Sequence, residues 1–272
     1  MLTINSNSAS LGVQSLLNNI TRDLDVTANR ISTGKRINTA ADDPAGMAIA
    51  TRMRSDLGSY GAVKNNISSG ISLTEVASSA LNDSTEIIGE MKKLAIQSQN
   101  GTLSTEQRAS LQTAFTELQG QFQQTIDGAE LFGQNLLKAD ATDVNILVGI
   151  DGTNVFNVKA ADTSLSNLSI SSEDINITDI EGSAAAITAL DEALVEIGNS
   201  QAVMGAQQNA LHARMRSVDS LTTNIESARS RIEDADMARE TSKLTELQTK
   251  QQMALAMLGL VNSFPQQALS LL

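Results

Sequence analysis

Ile187, Leu190, Leu194, Ile197, Gln201, Met204, Gln208, Leu211, Met215, Val218, Thr222 and Ile225 follow one another by alternating steps of three and four residues. A seam sustained past the ~3–4 heptads that mark a coiled coil predicts one continuous helix over about residues 183–230. At about 1.5 Å per residue such a helix is roughly 70 Å long, a rod and not an element of a small globule. Gln201 and Gln208 interrupt the apolar seam, and polar residues at such positions set register. No proline occurs between Pro44 and Pro265, which suits long helices and disfavours loop-rich folds.

Both ends of the chain carry shorter seams. Val13, Leu17, Ile20, Leu24, Thr27 and Ile31 step by four and three, and Gly34 supplies a helix stop. Leu244, Leu247, Gln251, Ala254, Leu258 and Val261 repeat the pattern, and Leu255, Met257 and Leu260 widen that face. A helix apolar on most sides needs neighbours on most sides. The N-terminal helix is its expected partner within the chain, so the surplus points to other copies.

Between the ends, Asp43 caps a helix that Pro44 opens. A separate long helix is expected over about residues 63–99, with Leu73, Val76, Ala80, Ile87, Met91 and Leu94 on one face and Ile67, Ile71, Leu81 and Ile88 on another. Asn100-Gly101 breaks it, and Ser104-Thr105-Glu106-Gln107 forms a capping-box pattern. Leu111, Phe115, Leu118, Phe122 and Ile126 then recur at helical spacing up to Asp127-Gly128. Only the middle changes period: Val144, Ile146, Val148 and Ile150 alternate, Asp151-Gly152 turns, and Val155-Phe156-Asn157-Val158 returns, a β-hairpin signal. The Ser/Asn/Asp-rich residues 161–182 are expected as short strands or loop on the surface. The predicted fold is mainly α: long antiparallel helices and a terminal coiled coil with a small β-hairpin insert. Residues 1–43 with 231–272 form an inner coiled-coil domain, 44–138 with 183–230 an outer helical rod, and 139–182 the insert.

Composition argues against an enzyme. The chain has no Cys and one His, His212, which removes thiolate sites, disulfides and multi-histidine metal sites. Aromatic content of 2% and a net charge of −12 oppose base stacking and phosphate binding. Lys92-Lys93 is too small a basic spot to reverse this. The carboxylate groups Asp42-Asp43 and Glu233-Asp234-Asp236 read as helix caps and ion pairs with Arg36, Arg229 and Arg231. No catalytic residue, cofactor or metal is expected. The N-terminus lacks the basic and apolar regions of a Sec signal peptide. The most apolar stretch, residues 253–261, falls far short of the ~20 residues of a membrane span.

The junction sequences carry a family resemblance. R-I-S-T-G-K-R-I-N-T-A-A-D-D-P-A-G at residues 30–46 and S-R-I-E-D-A-D at 230–236 resemble the two junctions of bacterial flagellins. I-N-S-N at 4–7, G-I-S-L at 70–73, A-L-N at 80–82 and P-Q-Q-A-L-S-L-L at 265–272 match in the same order. The resemblance implies a subunit that polymerises into the flagellar filament for motility, is exported unfolded by the flagellar type III system, and resides outside the cell. It further implies assembly through the terminal helices (Val13, Leu17, Ile20, Leu24, Ile31, Leu244, Leu247, Leu258, Val261) and junction caps and ion pairs at Arg36, Asp42, Asp43, Arg231, Glu233 and Asp234. Implied partners are further copies, a filament cap, hook-junction proteins, and an export chaperone on the segment that begins at Lys243 and runs to Leu272. The short middle resembles a minimal flagellin. Flagellins sensed by the Toll-like innate receptor carry an Arg and a Glu where this chain has Glu90 and Ala114, whereas Leu94 matches, which implies weak signalling. A hook-associated junction protein and a secreted coiled-coil adhesin are the competing readings.

Overall fold

The computed structural model describes residues 7–171 and 175–269; the matched residues 4–6 and 270–272 lie outside them. The elements run α1 (Ser8–Thr33), α2 (Pro44–Ser98), α3 (Thr105–Gly128), β1 (Glu130–Leu131), β2 (Gln134–Asn135), β3 (Val144–Leu147), β4 (Val155–Val158), α4 (Ile180–Glu233) and α5 (Met237–Leu269). The chain divides into two compact units, Met1–Leu57 with Thr223–Leu272, and Gly58–Thr222. The division falls inside α2 and α4, whereas the sequence places junctions at Pro44 and Arg231.

Local signals set most helix ends. α1 stops where Gly34 adopts φ 70°, a left-handed conformation that costs glycine nothing. Ser104 and Gln107 form the expected capping box, each side chain accepting from the other residue's backbone N–H. The two helices expected between Pro44 and Gln99 are instead one, α2, of 55 residues. Gly58 and Gly61 weaken a helix without removing a hydrogen bond, so no proline-like break separates the two runs.

In the larger unit, α2 and α4 are antiparallel. Lys64 Nζ lies 2.6 Å from Asp219, Gln208 donates to Glu75 at 3.3 Å, Gln201 donates to Asn82 at 3.1 Å and Thr85 at 3.3 Å, and Lys92 pairs with Asp191. The two seam glutamines thus reach α2, while Leu190, Ile197, Met204, Leu211 and Val218 are buried between them. α3 adds Phe115, Phe122 and Ile126 to the same core.

β3 and β4 pair antiparallel with Val144 opposite Val158 and Leu147 opposite Val155. Asp151 Oδ1 accepts from Asn154 N–H across the turn, and Gly152 sits at φ 75°. β1 and β2 form a second, two-residue hairpin that periodicity is too short to reveal. Residues 161–171 and 175–179 contain no strand and form a loop that exposes Ser166, Asn167, Ser169 and Asn176, but it is not purely superficial, which qualifies the expectation. Leu168, Ile170, Ile175 and Ile177 are buried in the core. Their backbone groups find side-chain partners: Gln119 donates to Ile170 O at 2.8 Å, and Gln112 Oε1 accepts from Ile177 N–H at 2.7 Å.

Candidate assembly interface: the terminal helix pair and its junction

α1 and α5 lie in the smaller unit. Asn7 caps α1 by accepting from Ser10 N–H at 3.1 Å, and its Nδ2 donates to Val261 O at 3.2 Å. Ser10 donates to Asn262 at 2.9 Å, and at the other end Arg30 lies 3.5 Å from Glu240. These links make the pair antiparallel. Ile20, Leu247 and Ala254 are buried between the helices, with Leu17 and Leu24 packed against them. Val13, Ile31, Leu244, Leu258 and Val261 are half-buried.

Much of the apolar surface stays open. Leu11 is 65% exposed, Met253 63%, Leu260 62% and Met257 60%, with Leu16 and Leu255 also exposed. Leu16, Ile20, Leu247, Met253, Ala254 and Met257 line a shallow groove of about 400 Å³. Two helices alone cannot cover a face this wide. Among the described residues no helix is long and apolar enough to cross a membrane.

The junction is built by short-range caps and one buried carboxylate. Asp42 Oδ2 accepts from Asn38 N–H, Thr39 N–H and Thr39 Oγ–H at 2.9 to 3.1 Å, and the backbone N–H groups hold its pKa below the ordinary value. Asp43 caps α2, accepting from Gly46 N–H at 2.9 Å. A Cβ at Gly46 would meet Asp43 Oδ2 at 2.5 Å and Ile37 Cδ1 at 2.6 Å, so any larger residue there must displace the capping carboxylate or the Ile37 side chain. Asp236 opens α5 by accepting from Ala238 and Arg239 N–H. Backbone pairing joins the two junction segments: Arg36 N–H donates to Glu233 O at 2.7 Å, and Ala235 N–H to Gly34 O at 2.9 Å. Asp234 bridges Lys35 in this pairing.

Glu233 is 2% exposed. Its carboxylate lies 2.5 Å from Lys35 Nζ, 2.6 Å from Arg54 Nη2 and 3.7 Å from Arg229 Nε. Burial pushes its pKa up, but the Lys35 hydrogen bond and the three cations outweigh it and hold the group below the ordinary value. Arg229 and Arg36 make ion pairs of the expected kind, the first with Glu233 and the second with Asp43, whereas Arg231 turns back to its own helix. Arg36 donates to Ile232 O at 2.7 Å and reaches Asp43 at 4.0 Å, and Arg231 Nε donates to Ser227 O at 3.2 Å. Lys35 and Arg54 join Arg229 around Glu233. Lys35 lies in the junction motif itself, while Arg54 reaches Glu233 only through the tertiary fold and carries no local signal of that contact.

In the larger unit, Glu90 pairs with Lys93 at 2.6 Å, Leu94 is half-buried against the core, and Ala114 is exposed on α3.

Residues 4–142 match the bacterial flagellin N-terminal helical region, and residues 187–272 the bacterial flagellin C-terminal helical region. A flagellin of Halalkalibacterium halodurans is 32% identical over 243 residues, 89% of each chain. The flagellar filament 33 kDa core protein of Treponema phagedenis is 32% identical over 285 residues, 100% of each. The crystal structure of Bacillus cereus flagellin superposes with a TM-score of 0.51 at 25% identity, covering 61% of this chain and 94% of that one. Paired terminal helices, a junction closed by backbone pairing, and both family regions in order around a small hairpin insert agree on one assignment: the chain belongs to the bacterial flagellin family.

Proposed function

We propose that the chain is the structural subunit of a bacterial flagellar filament, and that α1 and α5 form its polymerisation face. The observation that carries this reading is the open apolar surface of the terminal pair, from Leu11 and Leu16 on α1 to Met253, Met257 and Leu260 on α5. Head-to-tail stacking of copies buries such a surface in an assembly that does not close. Burial at about 25 cal/mol per Å² makes each covered Leu or Met worth about 1.5–3 kcal/mol.

In this reading residues 1–43 and 231–272 form the inner coiled coil, residues 44–138 and 183–230 the outer rod, and residues 139–182 the surface insert. The filament is extracellular, and the subunit reaches it unfolded through the flagellar type III route. The absence of cysteine suits a chain that must stay unlinked in transit. A cytoplasmic chaperone shields the open face of α5 before assembly, and cap and hook-junction proteins contact the growing polymer. The protein is not an enzyme. Glu90 and Ala114 stand where a receptor-stimulating flagellin carries Arg and Glu, so innate signalling is weak.

Electron microscopy of purified protein seeded with short filament fragments tests the assignment. Wild type elongates into long filaments, and Met253→Glu with Leu260→Glu remains a helical monomer. Elongation by the double variant, or short capped adaptors from wild type, would overturn it.

A further inference from the structure

Asn100 stands in the turn between α2 and α3 and is the one asparagine of the chain that precedes a glycine. Asn100, Gly101 and Thr102 are exposed, and Gly101 N–H donates to no protein acceptor among the described residues. A Cβ at Gly101 would meet nothing within 4 Å beyond the two flanking residues, so no other part of the fold crowds the turn at that position. Asn100 Oδ1, by contrast, is engaged twice: it accepts from Thr102 N–H at 3.1 Å and from Thr102 Oγ–H at 2.9 Å. Two donors aimed at one carbonyl oxygen stabilise negative charge that develops there. The adjoining glycine nitrogen carries no side chain to shield it.

We propose that Asn100-Gly101 is a self-modifying site, at which the turn promotes conversion of the asparagine amide to a carboxylate. The Gly101 nitrogen gives its proton to water and attacks Asn100 Cγ, forming a C–N bond and placing the negative charge on Oδ1. Collapse of that intermediate breaks the Cγ–Nδ2 bond, Nδ2 takes up a proton, and ammonia leaves into solvent. The cyclic imide then takes up one water at either carbonyl. Opening one way yields Asp at position 100; opening the other way yields isoaspartate, with one extra carbon in the main chain.

The product alters the connection it sits in. Arg108 donates from Nη2 to Asn100 O at 2.9 Å and from Nε to Ser98 O at 2.9 Å. A new carboxylate therefore appears beside a guanidinium that holds the end of α2. The isoaspartyl form also lengthens the chain just ahead of the Ser104 and Gln107 capping box.

Purified full-length protein incubated at physiological temperature and neutral pH should gain the mass of an amide-to-acid conversion, with isoaspartate mapped to residue 100. Thr102→Val deletes the hydroxyl donor, keeps the backbone donor and slows the conversion about two- to tenfold. Gly101→Ala, which has space for its methyl group, slows it further, and circular dichroism confirms that both variants keep the wild-type helix content. An unchanged mass, conversion at other asparagines first, or equal rates in wild type and Thr102→Val would overturn the proposal.

Discussion

Glu233 Oε1 lies 2.5 Å from Lys35 Nζ, a contact that ties the end of α4 to the loop following α1 within the smaller unit. Arg54 reaches the same oxygen at 2.6 Å. Replacing the carboxylate leaves these cations without a counter-charge around a buried site. Glu233→Gln should cost about 1–3 kcal/mol, less than a fully buried pair because Lys35 and Arg54 are half-exposed. A urea titration of the monomer measures it, and an unchanged midpoint would show that Glu233 does not hold the junction together.

Acid should remove the same stabilisation. The folded-state pKa of Glu233 lies below its ordinary value of 4.5. Its contribution is therefore complete above that value and disappears as pH falls through the lowered one. Asp42, held down by the Thr39 and Asn38 N–H groups, loses its contribution in the same direction. Wild type and Glu233→Gln should differ in stability at neutral pH and converge only once pH has fallen below the lowered pKa of Glu233. A constant difference across the titration would contradict this.

The terminal pair depends on few buried side chains. Leu247→Ala should cost about 2–4 kcal/mol by opening a cavity against Ile20. Amide hydrogen exchange along α1 and α5 reads this directly as lost protection. Met253→Ala, at a side chain 63% exposed in the free chain, should leave protection within about 0.5 kcal/mol of wild type.

Two glycines of α4 should respond with opposite sign. Alanine at Gly182 would place Cβ 2.1 Å from the Asn176 carbonyl oxygen, a backbone atom that cannot swing aside. Gly182→Ala should destabilise by about 1–3 kcal/mol. Gly198 has nothing within 4 Å of its Cβ position, so Gly198→Ala should stabilise by about 0.5–1 kcal/mol. Thermal melts of both variants distinguish the two cases.

Charge at the outer helices is expected to govern innate recognition. Glu90→Arg with Ala114→Glu should raise receptor signalling in reporter cells above that of the native chain. No gain, at equal helix content, would show that these positions do not limit recognition.

Where helices exist, and which stripes they bury, was written in local spacing. The seam from Ile187 to Val218 alternates buried and half-buried residues in α4, Gly34 ends α1, and Ser104 begins α3, because each signal acts within about one or two turns. Interactions between distant segments were not legible in that way. A single α2 replaced two expected helices, and a Ser/Asn/Asp-rich segment proved to carry core residues such as Ile170 and Ile177. Polar content suggested a surface there, but the side chains of Gln112 and Gln119 satisfy the buried backbone. Likewise, periodicity exposed the surplus apolar face of α5 without showing which residues α1 would leave uncovered. The sequence by itself determined the helical seams, their caps and the family. The tertiary structure alone decided that Lys35 and Arg54 join Arg229 on Glu233, since these two ion-pair partners are chosen by distances across the fold and not by distance along the chain.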